Sequence, residues 1–93
     1  MNSIGAYNEG VIVNVLLFAS IAEKAGRRKL VMDLRPGDTV ASVRERLFEE
    51  YPQLRPFKET LMYALDEEYA REGELVHDGA TLALIPPVSG GEG

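Results

Sequence analysis

The chain has 93 residues, 45% of them apolar, no cysteine and a net charge of −5 at pH 7. That is one domain with enough apolar material for a single core, and the missing thiols exclude disulfides, iron–sulfur ligation, thiolate zinc sites and cysteine nucleophiles. The acidic balance argues against nucleic acid, which needs clustered Lys and Arg, and suits docking on a basic protein surface. Residues 1–10, MNSIGAYNEG, are polar and glycine-bearing and read as a flexible lead-in, with neither the basic residue nor the apolar run of a signal peptide. The following VIVNVLLFA is about half a membrane span in length and is interrupted by Asn14, so the chain is expected in the cytoplasm, off the membrane.

Val11 to Ala19 is rich in β-branched and large apolar residues and predicts a strand with two apolar faces, Val13, Val15 and Leu17 on one and Leu16 and Phe18 on the other. Ser20 is placed to cap a short helix that Gly26 stops. A second strand follows over Arg28 to Leu34, with Leu30, Met32 and Leu34 alternating against Lys29, Val31 and Asp33. After the turn RPGD, Thr39 or Asp38 caps the main helix. Its apolar stripe is Val40, Val43, Leu47 and Tyr51 with Phe48 beside it; Arg44, Glu45, Glu49 and Glu50 lie outside the stripe, and Pro52 ends the helix. Leu61 to Leu65 predicts a third strand and the neighbourhood of Tyr69 a short fourth. The Asp78-Gly79 turn introduces the last strand, TLALIPP. The class is therefore α+β, a sheet of four to five strands with one main helix on one face, and the last strand is expected beside the first because both are the most apolar. The domain spans 11–87, and residues 88–93 form a flexible tail with a Gly-Gly pair.

Sites for chemistry are few. His77, the only histidine, adjoins the Asp-Gly turn and reads as a solvated turn residue, since no carboxylate–histidine cluster with metal spacing accompanies it. The run GRRK, Gly26 to Lys29, reads as a charged turn. Asp66, Glu67, Glu68, Glu72, Glu74 and Asp78, against Arg71 alone, read as a solvated acidic face able to steer the chain onto a basic partner. The tail is different. Pro86 and Pro87 fix an extended exit from the last strand, Val88 offers one apolar anchor, Ser89 is small, and Gly90 and Gly91 carry no side chain. From Pro86 to Gly91 it reaches about 20 Å if extended, enough to thread a narrow channel and present a main-chain group to chemistry there.

The motifs VNVLLFASIAEKAG, PGDTVASVRERL and HDGATLALIPPVSGG, spread over residues 13 to 91, resemble the MoaD family, the small subunit of molybdopterin synthase. That family belongs to the ubiquitin-like β-grasp sulfur carriers, with ThiS among its relatives; PPVSGG is its most specific stretch here. The resemblance implies a mixed β-grasp sheet and a non-catalytic subunit that holds no permanent cofactor. It implies that the Gly91 carboxylate attacks ATP on a MoeB-type activating enzyme, and that a sulfur donor then displaces AMP to leave a thiocarboxylate. Inside a MoaE-type large subunit, in a heterotetramer, that sulfur passes to cyclic pyranopterin monophosphate. Glu92 and Gly93 follow Gly91 and are expected to be trimmed. Sulfur supply to thiamine or tRNA thiolation, and ubiquitin-like modification of lysines, are the alternatives. Strand periodicity further puts Phe18 and Ile85 on the face without a helix, with Tyr69 nearby, as a partner-binding patch.

Overall fold

The computed structural model describes residues 10–87; the expected lead-in before Gly10 and the tail residues Val88, Ser89, Gly90, Gly91, Glu92 and Gly93 lie outside the described residues. Strand β1 (Val11–Leu17) and strand β2 (Lys29–Leu34) are joined through helix α1 (Ala19–Ala25). Helix α2 (Val40–Glu50) and a 3-10 helix (Pro52–Phe57) precede β3 (Met62–Leu65), β4 (Glu68–Ala70) and β5 (Ala80–Ile85). The sheet order is β2-β1-β5-β3-β4. β5 runs parallel to β1 and antiparallel to β3, so the sheet is mixed and the two most apolar strands adjoin at its middle.

One side of the sheet makes the core. Val13 and Val15 from β1, Leu82 and Leu84 from β5, and Val40, Val43 and Leu47 from α2 are all fully buried, with Phe48 at 1% exposure. These are the alternate strand residues and the helical stripe that period-2 and period-3.6 patterning require. Burial of each such side chain stabilises by about 1.5–3 kcal/mol. Tyr51 departs from the stripe: it closes α2 as the C-cap and is half-buried.

Helix α2 starts where its donors are met. Thr39 Oγ1 accepts from the Ser42 N–H and Ser42 Oγ from the Thr39 N–H, a reciprocal cap. The Val40 and Ala41 N–H groups donate to the Glu74 and Glu72 carbonyls, so the loop before β5 laces the helix N-terminus. Asp38 instead accepts from the Arg35 N–H within the preceding turn.

Two expectations need correction. Ser20 does not cap α1: the chain turns at Ala19 (φ 51), the extended Phe18 is the N-cap, no side chain caps it, and Ser20 falls inside the first turn. Gly26 (φ 76) does end the helix, its N–H donating to the Ala22 carbonyl. Arg44 is not outside the stripe but 5% exposed. Its guanidinium donates to Tyr63 Oη at 3.2 Å and pairs with Glu72 at 3.1 Å and Glu45 at 2.9 Å. A long stem lets Arg bury its methylenes while the head finds partners at the edge. Burial works against the charge, but the bonds to Tyr63, Glu72 and Glu45 hold the group above its ordinary range. Arg44→Ala is expected to destabilise the fold by about 2–3 kcal/mol, through lost packing and a stranded Tyr63 hydroxyl. Arg44→Met, which keeps the stem, is expected to cost about 1 kcal/mol less; urea unfolding of the two variants measures the difference.

Candidate functional site

The helices cover one side of the sheet, so the other is open, and the pairing register says what stands on it. Leu16 pairs with Ala83, Ala83 with Ala64, and Ala64 with Tyr69; Met62 pairs with Ile85, and Asn14 lies between Val31 and Thr81. Directly paired residues share a face. The open side therefore carries Leu16, Ala83, Ala64, Ile85, Met62 and Tyr69, with Phe18 at the end of β1. Phe18 is 45% exposed, Met62 46% and Tyr69 76%, a contiguous apolar surface of the kind that marks an interface.

Leu16, Phe18, Ala64, Ala83 and Ile85 line a shallow depression, rimmed by Thr81, Asp66 and Glu67. Phe18 and Ile85 thus meet as periodicity predicts. Ile85 is half-buried rather than free, because its neighbours on both strands crowd it. Tyr69 is on the same face, but lines a separate depression with Met62. Leu16, Met62, Ala64 and Ala83 complete the patch. Met62 and Ala64 alternate with Tyr63 and Leu65, two positions turned toward the core, but it takes the register of β3 against β5 to set them beside Ile85 and Ala83.

The chain leaves this surface at one corner. Leu84 pairs with Leu17, so β5 runs out beside Phe18; Pro86 is buried against the fold and Pro87 is exposed. A tail leaving here starts at the edge of the apolar patch. The basic run lies at the same end: the Leu17 N–H donates to the Arg28 carbonyl, and Arg27 donates to the Tyr51 hydroxyl at 3.3 Å.

His77, with Asp66 and Asp78 from the acidic run, is at the opposite end of β5. His77 Nε2 lies 2.6 Å from Asp66 Oδ2, and the Asp66 Oδ1 accepts from the Thr81 N–H. That N–H and the imidazole hold the Asp66 carboxyl below its usual range, and the carboxylate raises His77. The acidic face is accordingly less free than its composition implies, since Glu72 is engaged by Arg44 and Asp66 by His77. Among the described residues no group of three or more His, Asp or Glu stands ready for a metal ion, and no helix is long and apolar enough to cross a membrane.

A mixed five-stranded sheet with its last strand parallel to the first and a helix packed across one side is a β-grasp domain of the ubiquitin-like class. The model of the ThiS family matches residues 15–91, and the chain belongs to that family. The molybdopterin synthase sulfur carrier subunit of Arabidopsis thaliana is 35% identical over 81 residues, which cover 87% of this chain and 84% of that one. The crystal structure of SAMP1 from Haloferax volcanii superposes with a TM-score of 0.77 at 32% identity, covering 84% of this chain and 97% of that one. The complex of subunits 1 and 2 of the molybdopterin-converting factor from Helicobacter pylori contains a chain that superposes with a TM-score of 0.63 at 18% identity, covering 84% and 96%; at that identity the likeness concerns the fold alone.

Proposed function

We propose that this chain is the sulfur-carrier small subunit of a molybdopterin synthase. The observation that carries the reading is the similarity over most of both chains to a subunit of that name. The family match, which runs through to Gly91, supports it. The Gly91 carboxylate attacks the α-phosphate of ATP on a MoeB-type activating enzyme, with pyrophosphate leaving. Sulfur from a donor enzyme displaces AMP from the acyl-adenylate, and the resulting thiocarboxylate delivers sulfur to cyclic pyranopterin monophosphate within a MoaE-type large subunit. ATP is consumed in activation and is not a resident cofactor. The chain's own contribution is mechanical. The open face grips the partner, Pro86 and Pro87 set the exit direction, Val88 and Ser89 pass through the channel mouth, and the side-chain-free Gly90 and Gly91 occupy its narrowest part.

The test is reconstitution: the chain ending at Gly91, with activating enzyme, ATP, a sulfur source and the large subunit, is expected to convert the pterin to its dithiolene. Gly90→Ala in that chain is expected to melt normally and transfer sulfur about ten- to a hundredfold more slowly, because a methyl group displaces the reacting terminus. Wild-type transfer by this variant contradicts the threading role. One relative favours a second reading, since SAMP1 is a small archaeal modifier protein. A modifier joins the same activated glycine to lysine amines, and isopeptide adducts of this chain on other proteins, without dithiolene formation, would establish it.

A further inference from the structure

The turn joining β3 to β4 has two residues, Asp66 and Glu67, both in the left-handed region with φ 51 and 73. That is the turn whose twist suits a two-residue hairpin, and it favours Asn-Gly or Asp-Gly because of the positive φ at both positions. Asp tolerates the conformation; Glu does so at a cost. A residue held where its own preference opposes the geometry persists when its surroundings over-determine it.

Here they do. The Asp66 N–H donates to the Thr81 carbonyl, the Thr81 N–H donates to Asp66 Oδ1, and Asp66 Oδ2 meets His77 Nε2. His77 itself stands on a fixed base. Its Nδ1 is 3.0 Å from the Asp78 carbonyl, the Ile12 N–H donates to Asp78 Oδ1, and the Gly79 N–H donates to the Ile12 carbonyl. With Nδ1 donating to a carbonyl and Nε2 to a carboxylate, the imidazole in this arrangement is the doubly protonated cation.

The length of the turn decides where Tyr69 goes. With two turn residues Tyr69 pairs with Ala64 and stands on the open face. A hairpin slipped by one residue sends every β4 side chain to the other side. We infer that His77, acting through Asp66, is a positioning residue: it latches the β3–β4 turn in its left-handed form and so keeps Tyr69 on the partner-docking face. The inference rests on the docking role given to that face above.

The latch depends on pH in a stated direction. The charges acting on His77 are the carboxylates of Asp66, from the turn, and Asp78, beside it; the adjoining ends of β1 and β5 contribute Ile12 and Thr81, which are uncharged. Because Asp66 raises His77, the contribution is complete below the ordinary imidazole value of about 6.5 and fades as pH climbs through the raised value. Because Asp66 is itself lowered, the contribution also fades at acid pH, as that carboxylate protonates below its ordinary range.

The experiment uses the full chain free in solution and three variants, His77→Ala, Glu67→Gly and the two combined. Amide exchange at Asp66 and Thr81, corrected for its intrinsic pH dependence, is expected to accelerate about two- to fivefold from pH 6 to pH 8.5, the range an exposed ion pair supports. In His77→Ala it is expected to be fast at both pH values, with weakened nuclear Overhauser contacts between the Tyr69 ring and Ala64. In the combined variant the glycine removes the strain, and the contacts return at both pH values. Exchange and Tyr69 contacts unchanged by His77→Ala, or a loss that Glu67→Gly does not restore, overturn the latch. Affinity for a MoaE-type large subunit, measured on the same variants, is expected to follow the Tyr69 contacts. If the contacts follow the latch while no variant or wild type binds that partner, the docking assignment fails and the latch does not.

Discussion

A chain ending at Gly91 is expected to support ATP–pyrophosphate exchange on its activating enzyme, and the 93-residue form to give none above background. The difference is one of chemistry rather than degree. Adenylation needs a free carboxylate as nucleophile; while Glu92 follows Gly91 that carbonyl is locked in a peptide bond, and the terminal carboxylate of the 93-residue form is Gly93's, two residues out of place. On the proposed threading, Glu92 would add a second obstacle, because a channel that admits only side-chain-free Gly90 and Gly91 has no room for a charged side chain. Equal exchange by the two forms, with mass spectrometry showing Glu92 and Gly93 still attached, contradicts the assignment of Gly91 as the reacting terminus.

The second large effect belongs to the open face. Phe18→Ala and Ile85→Ala are each expected to weaken binding to a MoaE-type large subunit by about 1–3 kcal/mol, roughly five- to over a hundredfold in Kd. A few large anchors that a partner dries carry much of the energy of such interfaces. Phe18 is 45% exposed in the free chain. Its truncation should therefore change the free protein's stability by no more than about 0.5 kcal/mol. Ile85 is half-buried between Met62 and its β1 neighbours and is expected to cost somewhat more. Calorimetry for binding and thermal melts for folding separate the two effects. Unchanged affinity, or collapse of the free fold in Phe18→Ala, removes that residue from the docking surface.

Much of this was legible in the sequence because the signals were periodic. Leu30, Met32 and Leu34 alternate, and all three are buried. Val40, Val43, Leu47 and Phe48 recur at helical spacing, and they fill the core beside the adjoining apolar strands β1 and β5. What was not legible depended on long side chains and on residues far apart in the chain. Arg44 carries a charge and so read as solvent-facing, yet it is buried because Tyr63 and Glu72 come from β3 and a distant loop to meet its head. Ser20 has the right side chain for a cap, but the left-handed turn at Ala19 moves the helix start ahead of it. His77 read as an ordinary turn residue because its partner, Asp66, is eleven positions away and reaches it only when β3 lies against β5. The open face was legible in part. Alternation assigned Phe18 and Ile85 to it, whereas Met62 and Ala64 needed the register of β3 against β5.

The central claim is that this chain carries sulfur on the carbonyl carbon of Gly91. The intact mass of the native protein, taken after incubation with activating enzyme, ATP and a sulfur source, tests it most directly. The account predicts a chain ending at Gly91 and heavier than its carboxylate form by the difference between one sulfur and one oxygen atom, with the excess lost on transfer to the pterin. A mass that retains Glu92 and Gly93, or ends at Gly91 with no sulfur gained under these conditions, contradicts it.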